Sequence, residues 1–114
     1  MKNKDFVVIG DTLNPDKYAY KIKHKLQEYN YNVESVHKEL KSINEVSCDN
    51  FILDLCINPI LGLKYLKECK KNIKCVLIQP GAESEELEEY LKNNNIDFIE
   101  GCALVGVSLY KSKL

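Results

Sequence analysis

The segment Phe51-Ile52-Leu53-Asp54-Leu55-Cys56-Ile57-Asn58-Pro59 decides how this chain folds. From Phe51 to Ile57 the run is apolar apart from Asp54, with no polar alternation. Side chains alternate between the two faces of a strand, so an unalternated apolar run belongs to a strand buried on both faces. Asn58 then offers a side-chain oxygen to the free amides of a helix, and Pro59 suits its first turn. Asp54 is the exception inside the run. It is read either as a functional group or as a carboxyl satisfied by a neighbouring lysine or by backbone.

The same two periods alternate on both sides of this segment. Upstream, Phe6-Val7-Val8-Ile9 is a short apolar run ended by Gly10, and Ala19, Ile22, Leu26 and Tyr29 recur at helical spacing. A second strand fits residues 32–36, followed by a polar crossover over residues 37–50 with a short helix around Leu40 and Ile43. Downstream, the helix after Pro59 is expected to carry Ile60, Leu63, Leu66 and Cys69 inwards. A fourth strand over residues 75–78 stops at Gln79-Pro80-Gly81. A helix from about Ser84 has an acidic first turn (Glu85, Glu86) that complements its dipole, a buried face of Leu87, Tyr90 and Leu91, and an end at Asn93-Asn94-Asn95. Residues 96–99 form a fifth strand and residues 101–107 a closing segment. Strands alternating with helices at this spacing predict the α/β class: a five-stranded parallel sheet covered on both sides, a Rossmann-like three-layer sandwich.

Composition bounds the function. With 114 residues the chain is expected to be a single domain over residues 1–114, and sixteen basic against seventeen acidic residues give a net charge of -1. No basic field suits nucleic acid, and no apolar stretch is long enough to span a bilayer. The protein is expected to be soluble and cytoplasmic. All the basic residues are Lys, so no guanidinium fork can clamp a phosphate. Cys48, Cys56, Cys69, Cys75 and Cys102 include no C-x-x-C pair and read as reduced thiols, with Cys56 and Cys75 as small core residues. His24 and His37 have no ligand partners at zinc-like offsets, so no metal site is expected.

In an open parallel sheet, ligands bind beyond the carboxyl ends of the strands. Here those ends are residues 10–14, the pair His37-Lys38, the turn Ile57-Asn58-Pro59 and the turn Gln79-Pro80-Gly81. The first loop leads to a helix N-terminus, whose free amides suit a phosphate. The fingerprint G-x-G-x-x-G is missing, because the glycine after Gly10 is Gly62, and no acid closes the second strand to grip a ribose. NAD is therefore disfavoured. The P-loop pattern is absent as well.

The residues at these strand ends resemble those of the small CoA-binding proteins. Ile78-Gln79-Pro80-Gly81-Ala82-Glu83-Ser84 is similar to the Leu-Gln-Pro-Gly signature of that family and the helix start that follows it. Val8-Ile9-Gly10, Asn14-Pro15 and Tyr20-Lys21 resemble the family's opening loop and first helix. Gly101-Cys102-Ala103-Leu104-Val105 resembles its closing segment, so the resemblance covers residues 5–107. The same fold forms the CoA-binding domain of the succinyl-CoA ligase alpha subunit. The resemblance implies CoA or an acyl-CoA lying across the strand ends. It places the diphosphate near Gly10, Thr12, Leu13 and Asn14, with Tyr20 and Lys21 at the first helix. Val36, His37 and Lys38 would approach the adenosine and its 3′-phosphate. Cys56, Ile57 and Asn58 would flank the nucleotide or the pantetheine, and Gln79 and Pro80 would face the thiol arm. The ligase's phosphohistidine domain has no room here, so a binding module is implied rather than an enzyme.

The chain departs from the family pattern at Asp11-Thr12 in place of Ala-Ser, at Lys21 in place of Arg, at His37-Lys38 in place of Asn-Pro, and at Glu100 in place of a base. Lys17, Lys21 and Lys38 would offset Asp11 if they converge. The sequence-based reading is thus non-catalytic binding of CoA or acyl-CoA, with Gly10→Val and Lys38→Glu expected to abolish binding without disturbing the fold. The alternatives are a degenerate interaction module without a ligand, or a small thiol-dependent enzyme using Cys56 or Cys102. A homodimer or a protein partner, with Tyr18, Tyr31 and Tyr110 as exposed aromatics, completes the expectations.

Overall fold

In the computed structural model, residues 5–101 are described, and the closing segment, Cys102 and Tyr110 lie outside them. The apolar runs form a five-stranded sheet in which every pairing is parallel, in the order β2-β1-β3-β4-β5. Its strands are β1 (Asp5–Gly10), β2 (Asn32–His37), β3 (Phe51–Leu55), β4 (Ile73–Ile78) and β5 (Phe98–Glu100). The intervening helices are α1 (Tyr18–Glu28), α2 (Pro59–Glu68) and α3 (Glu85–Asn93), with a short 3-10 turn at Ile43–Glu45. This is the α/β three-layer sandwich expected from the alternating periods.

Both faces of β1 and β3 are buried, which is why their runs do not alternate. Val7, Ile9, Leu53 and Leu55 pack with Leu63 and Leu66 of α2 and Leu87 and Leu91 of α3. On the other face Phe6, Val8 and Ile52 pack under Ala19, Ile22 and Leu26 of α1. Each such side chain contributes about 1.5–3 kcal/mol when fully removed from water.

The helix starts follow the sequence signals with one exception. Asn58 Oδ1 accepts from the Leu61 amide at 3.0 Å, and Ser84 Oγ accepts from the Leu87 amide at 3.1 Å. The 3-10 turn carries a reciprocal box between Ser42 and Glu45. Lys17, the N-cap of α1, makes no side-chain cap.

Several boundaries and orientations differ from expectation. β3 ends at Leu55 rather than Ile57, β4 begins at Ile73 rather than Cys75, and β5 covers Phe98–Glu100. Ile60 points outwards and is 82% exposed. At 3.6 residues per turn it lies about 110° round α2 from the centre of the buried stripe of Gly62, Leu63 and Leu66. Cys56 and Cys75 are half-buried rather than core residues. Tyr31 is also half-buried, its ring centroid 5.0 Å from that of Phe6, whereas Tyr18 is exposed.

Candidate functional site

The chain leaves β1 in one direction to form β2 and in the other to form β3, so the carboxyl ends of β1 and β3 border a reversal of strand order. A cleft of about 450 Å³ opens there. Ligand pockets commonly occupy about 300–1,000 Å³. Its walls are Asp11 and Lys17 from the β1–α1 connection, Tyr18 and Ala19 from the start of α1, His37 from β2, Cys56-Ile57-Asn58 after β3, and Gln79-Pro80-Gly81-Ala82 after β4.

Gly10 makes this convergence possible. A Cβ there would lie 2.7 Å from the Cys56 carbonyl oxygen and 2.9 Å from Ala19 Cβ. The end of β1 is pressed against the floor of the cleft, and Cys56 N–H donates to the Ile9 carbonyl at 2.9 Å. Gly10→Val would therefore disturb the fold itself, which corrects the expectation that it spares the fold. Gly81 has φ of +94°, a conformation that side chains strain to adopt, and its amide donates to Glu83 at 2.7 Å. His37 also has a positive φ of 104°, which costs a residue other than glycine on the order of 1–3 kcal/mol. Its amide donates to the Leu40 carbonyl, and its Nδ1 lies 3.0 Å from Tyr65 Oη. Burial, then the Glu68 charge, pushes the Tyr65 phenol up, so it remains available as the donor.

Asp54 sits beneath the floor. It is fully buried, Cys56 Sγ donates to its Oδ1 at 3.6 Å, and its Oδ2 has no hydrogen-bond partner among the described residues. Burial pushes its carboxyl up to about 7, against the smaller pull of the Cys56 thiol and the Gln79 amide. Among the described residues neither a lysine nor the backbone satisfies this carboxyl in the way the sequence suggested; the Cys56 thiol does so in part.

The structure brings together six of the residues singled out in the sequence, His37, Cys56, Ile57, Asn58, Gln79 and Pro80, with Gly10 directly behind them. The other seven do not line the cleft. Thr12 is buried and its hydroxyl donates to Glu39 at 2.5 Å. Leu13 is 61% exposed, and the Asn14 side chain accepts from the Asp16 amide. The Tyr20 ring stacks on His24, and the Lys21 ammonium lies over the Tyr18 ring. Val36 belongs to the core, and Lys38 is exposed at the end of β2. Lys17, Lys21 and Lys38 accordingly do not converge: Lys17 alone of the three lines the cleft with Asp11.

Asp11 has a local cause for its place. Its Oδ1 accepts from the amides of Leu13 (3.1 Å) and Asn14 (3.2 Å), so two loop donors that suit an anion are already engaged. The amides that begin α1 have no such side-chain partner. Two cleft residues that sequence reasoning did not assign to the site, Tyr18 and Ala19, stand at that open helix end beside Lys17. The absence of Ser, Thr, Asp or Asn at position 17 was the signal that marks it. Glu39 is not in the cleft. Although desolvation opposes it, bonds from Lys23 (2.7 Å) and Thr12 hold its carboxyl below the usual range. Among the described residues no cluster of three or more His, Cys, Asp or Glu is placed to hold a metal, and no helix is long and apolar enough to cross a membrane.

Fold and cleft together define a parallel α/β sandwich with a ligand-sized crevice at its strand-order reversal. Residues 4–108 match the family described as CoA binding domain, and the chain belongs to that family. A conserved hypothetical protein from Pyrococcus furiosus is similar in structure with a TM-score of 0.79 at 26% identity, covering 90% of this chain and 98% of its own. An uncharacterized protein gives 0.77 at 27% identity, covering 96% and 98%. A protein from Thermus thermophilus gives 0.78 at 22% identity, covering 90% and 87%, a likeness of fold alone. No curated protein matches the chain.

Proposed function

We propose that this protein binds CoA, free or acylated, in the cleft at the ends of β1 and β3, and that it does so without catalysing a reaction on it. The observation that carries this reading is the opening of the cleft onto the N-terminus of α1, the α-helix whose first amides have no side-chain cap. Such amides and the positive end of the helix dipole suit a phosphate oxygen. Lys17 adds a point charge at the same end. Ile57, Pro80 and Ala82 supply apolar wall for a pantetheine arm, and the strained His37 borders the second-strand side.

These residues fit CoA at the α1 end and along the β3 and β4 turns. They do not reproduce the loop contacts that the family resemblance implies for Thr12, Leu13 and Asn14. The test is a thermal melt at low salt with and without CoA, with NAD in parallel. At about 100 times the dissociation constant a ligand stabilises the fold by about 2.7 kcal/mol. The midpoint should then rise by roughly 10 °C with CoA and stay in place with NAD. A flat response to CoA would contradict the proposal.

One observation favours a second reading, an interaction module that has lost its ligand. The Asp11 carboxylate stands in the cleft and occupies the Leu13 and Asn14 amides. That reading requires no stabilisation by CoA and binding to a protein partner.

A further inference from the structure

Simple binding has no use for the thiol in the floor of the cleft or for the acid beneath it. Cys56 lines the cleft between the α1 end and the Gln79-Pro80 turn, and its thiol donates to a carboxyl that is fully buried. The other oxygen of Asp54 has no partner among the described residues. A buried carboxyl left half-satisfied costs stability that an apolar residue would not. The three other described cysteines, Cys48, Cys69 and Cys75, do not line the cleft, and burial pushes their thiols up.

We propose that Cys56 is a covalent capture site, exchanging with the disulfide of a CoA disulfide held in the cleft while Asp54 accepts the thiol proton. The inference rests on the reading of the cleft as a CoA site. A ligand whose phosphates meet the α1 N-terminus and whose arm runs towards Gln79 and Pro80 carries its sulfur end past Cys56. In the exchange the Cys56 S–H bond breaks and its proton passes to Asp54. A bond forms between Cys56 Sγ and one sulfur of the disulfide, and the original S–S bond breaks. The departing CoA thiolate takes a proton and leaves as CoA. One disulfide is exchanged for another, with no net oxidation.

The pairing sets the path of the proton: the Cys56 thiol already points its hydrogen at Asp54 Oδ1, so the acid is placed to take that proton during attack. Burial, opposed by the thiol and the Gln79 amide, places that acid near neutrality, where a proton acceptor is most effective. Among the described residues, the titratable groups that face the pair are Asp11 from the first loop, Lys17 and Tyr18 from α1, and His37 from β2. Cys75 lies on β4 on the same sheet face as Asp54, beside Ile52, and the Gln79 amide is neutral.

The experiment incubates the wild type, Cys56→Ser and Asp54→Asn with CoA disulfide on either side of neutral pH, with glutathione disulfide as the control that lacks a nucleotide. Adducts are followed by intact mass and assigned by peptide mapping. Calorimetry with CoA under reducing conditions runs in parallel on the wild type. The expected result is one CoA-sized adduct on Cys56, removed by dithiothreitol, absent in Cys56→Ser and formed much more slowly from glutathione disulfide. Asp54→Asn should react about ten-fold more slowly or worse near neutrality. An adduct mapped to other cysteines would overturn the assignment. Asp54→Asn reacting as fast as or faster than the wild type, the result of charge repulsion alone, would overturn the proton-acceptor role. Calorimetry that shows CoA binding without capture overturns this inference alone; absence of binding overturns the cleft reading as well.

Discussion

Between pH 3.8 and about 7, Asp54 holds a proton that the unfolded chain would release. Its carboxyl is raised by burial from the ordinary 3.8 to about 7, with Cys56 and Gln79 pulling it part of the way back. Because the folded form is the one that binds the extra proton, stability from this group falls as pH rises from 3.8 towards about 7. Glu34 and Glu39 have the opposite sign, since hydrogen bonds lower them against the pull of desolvation. The wild-type curve alone therefore mixes both effects. The difference between Asp54→Asn and the wild type isolates Asp54: it should grow in favour of the variant across that window, at a slope approaching ~1.4 kcal/mol per pH unit. Urea midpoints across the pH range check this, and parallel curves would contradict it. The sequence marked Asp54 as the one charge in an apolar run. It did not indicate the partners, because Cys56 neighbours Asp54 only once β3 is extended and Gln79 only once β4 lies alongside.

At the scale of elements, the three helices begin differently, and the difference is measurable. Asn58 and Ser84 cap α2 and α3, and nothing caps α1. Replacing Asn58 by Ala should cost about 1 kcal/mol in ligand-free melts. Lys17→Asp should move the other way, supplying a cap and an acidic first residue worth up to about 1 kcal/mol. The same change should abolish CoA binding, because its carboxylate would take the amides and replace the one cation of the cleft wall among the described residues. A variant that becomes more stable while losing its ligand cannot be explained by unfolding. The starts of α2 and α3 were legible because Asn58-Pro59 and Ser84 followed by Glu85-Glu86 are local signals. The outward turn of Ile60 was not, because a three-residue spacing drifts round a 3.6-residue helix and only packing against the sheet fixes the buried stripe.

At the scale of the molecule, parallel strands with helices on both faces follow from unalternated apolar runs, and that much was legible from β1 and β3 alone. Strand order was not written in any one segment. It arises when β2 and β3 leave β1 on opposite sides, and the cleft arises with it. For that reason the strand-end residues His37, Cys56, Ile57, Asn58, Gln79 and Pro80 were found together, whereas Thr12 and Val36, near the same ends in sequence, turned into the interior. The family match supports CoA association in general, and the cleft is where we propose that it binds. The most direct test is an amide-resolved NMR titration of the wild-type protein with CoA. Saturable shifts should concentrate on Asp11, Lys17–Ala19, Cys56–Asn58, Gln79, Gly81 and Ala82, with the amides that open α1 moving most. Shifts scattered over the surface, or confined to the far face of α2 and α3, would contradict the account.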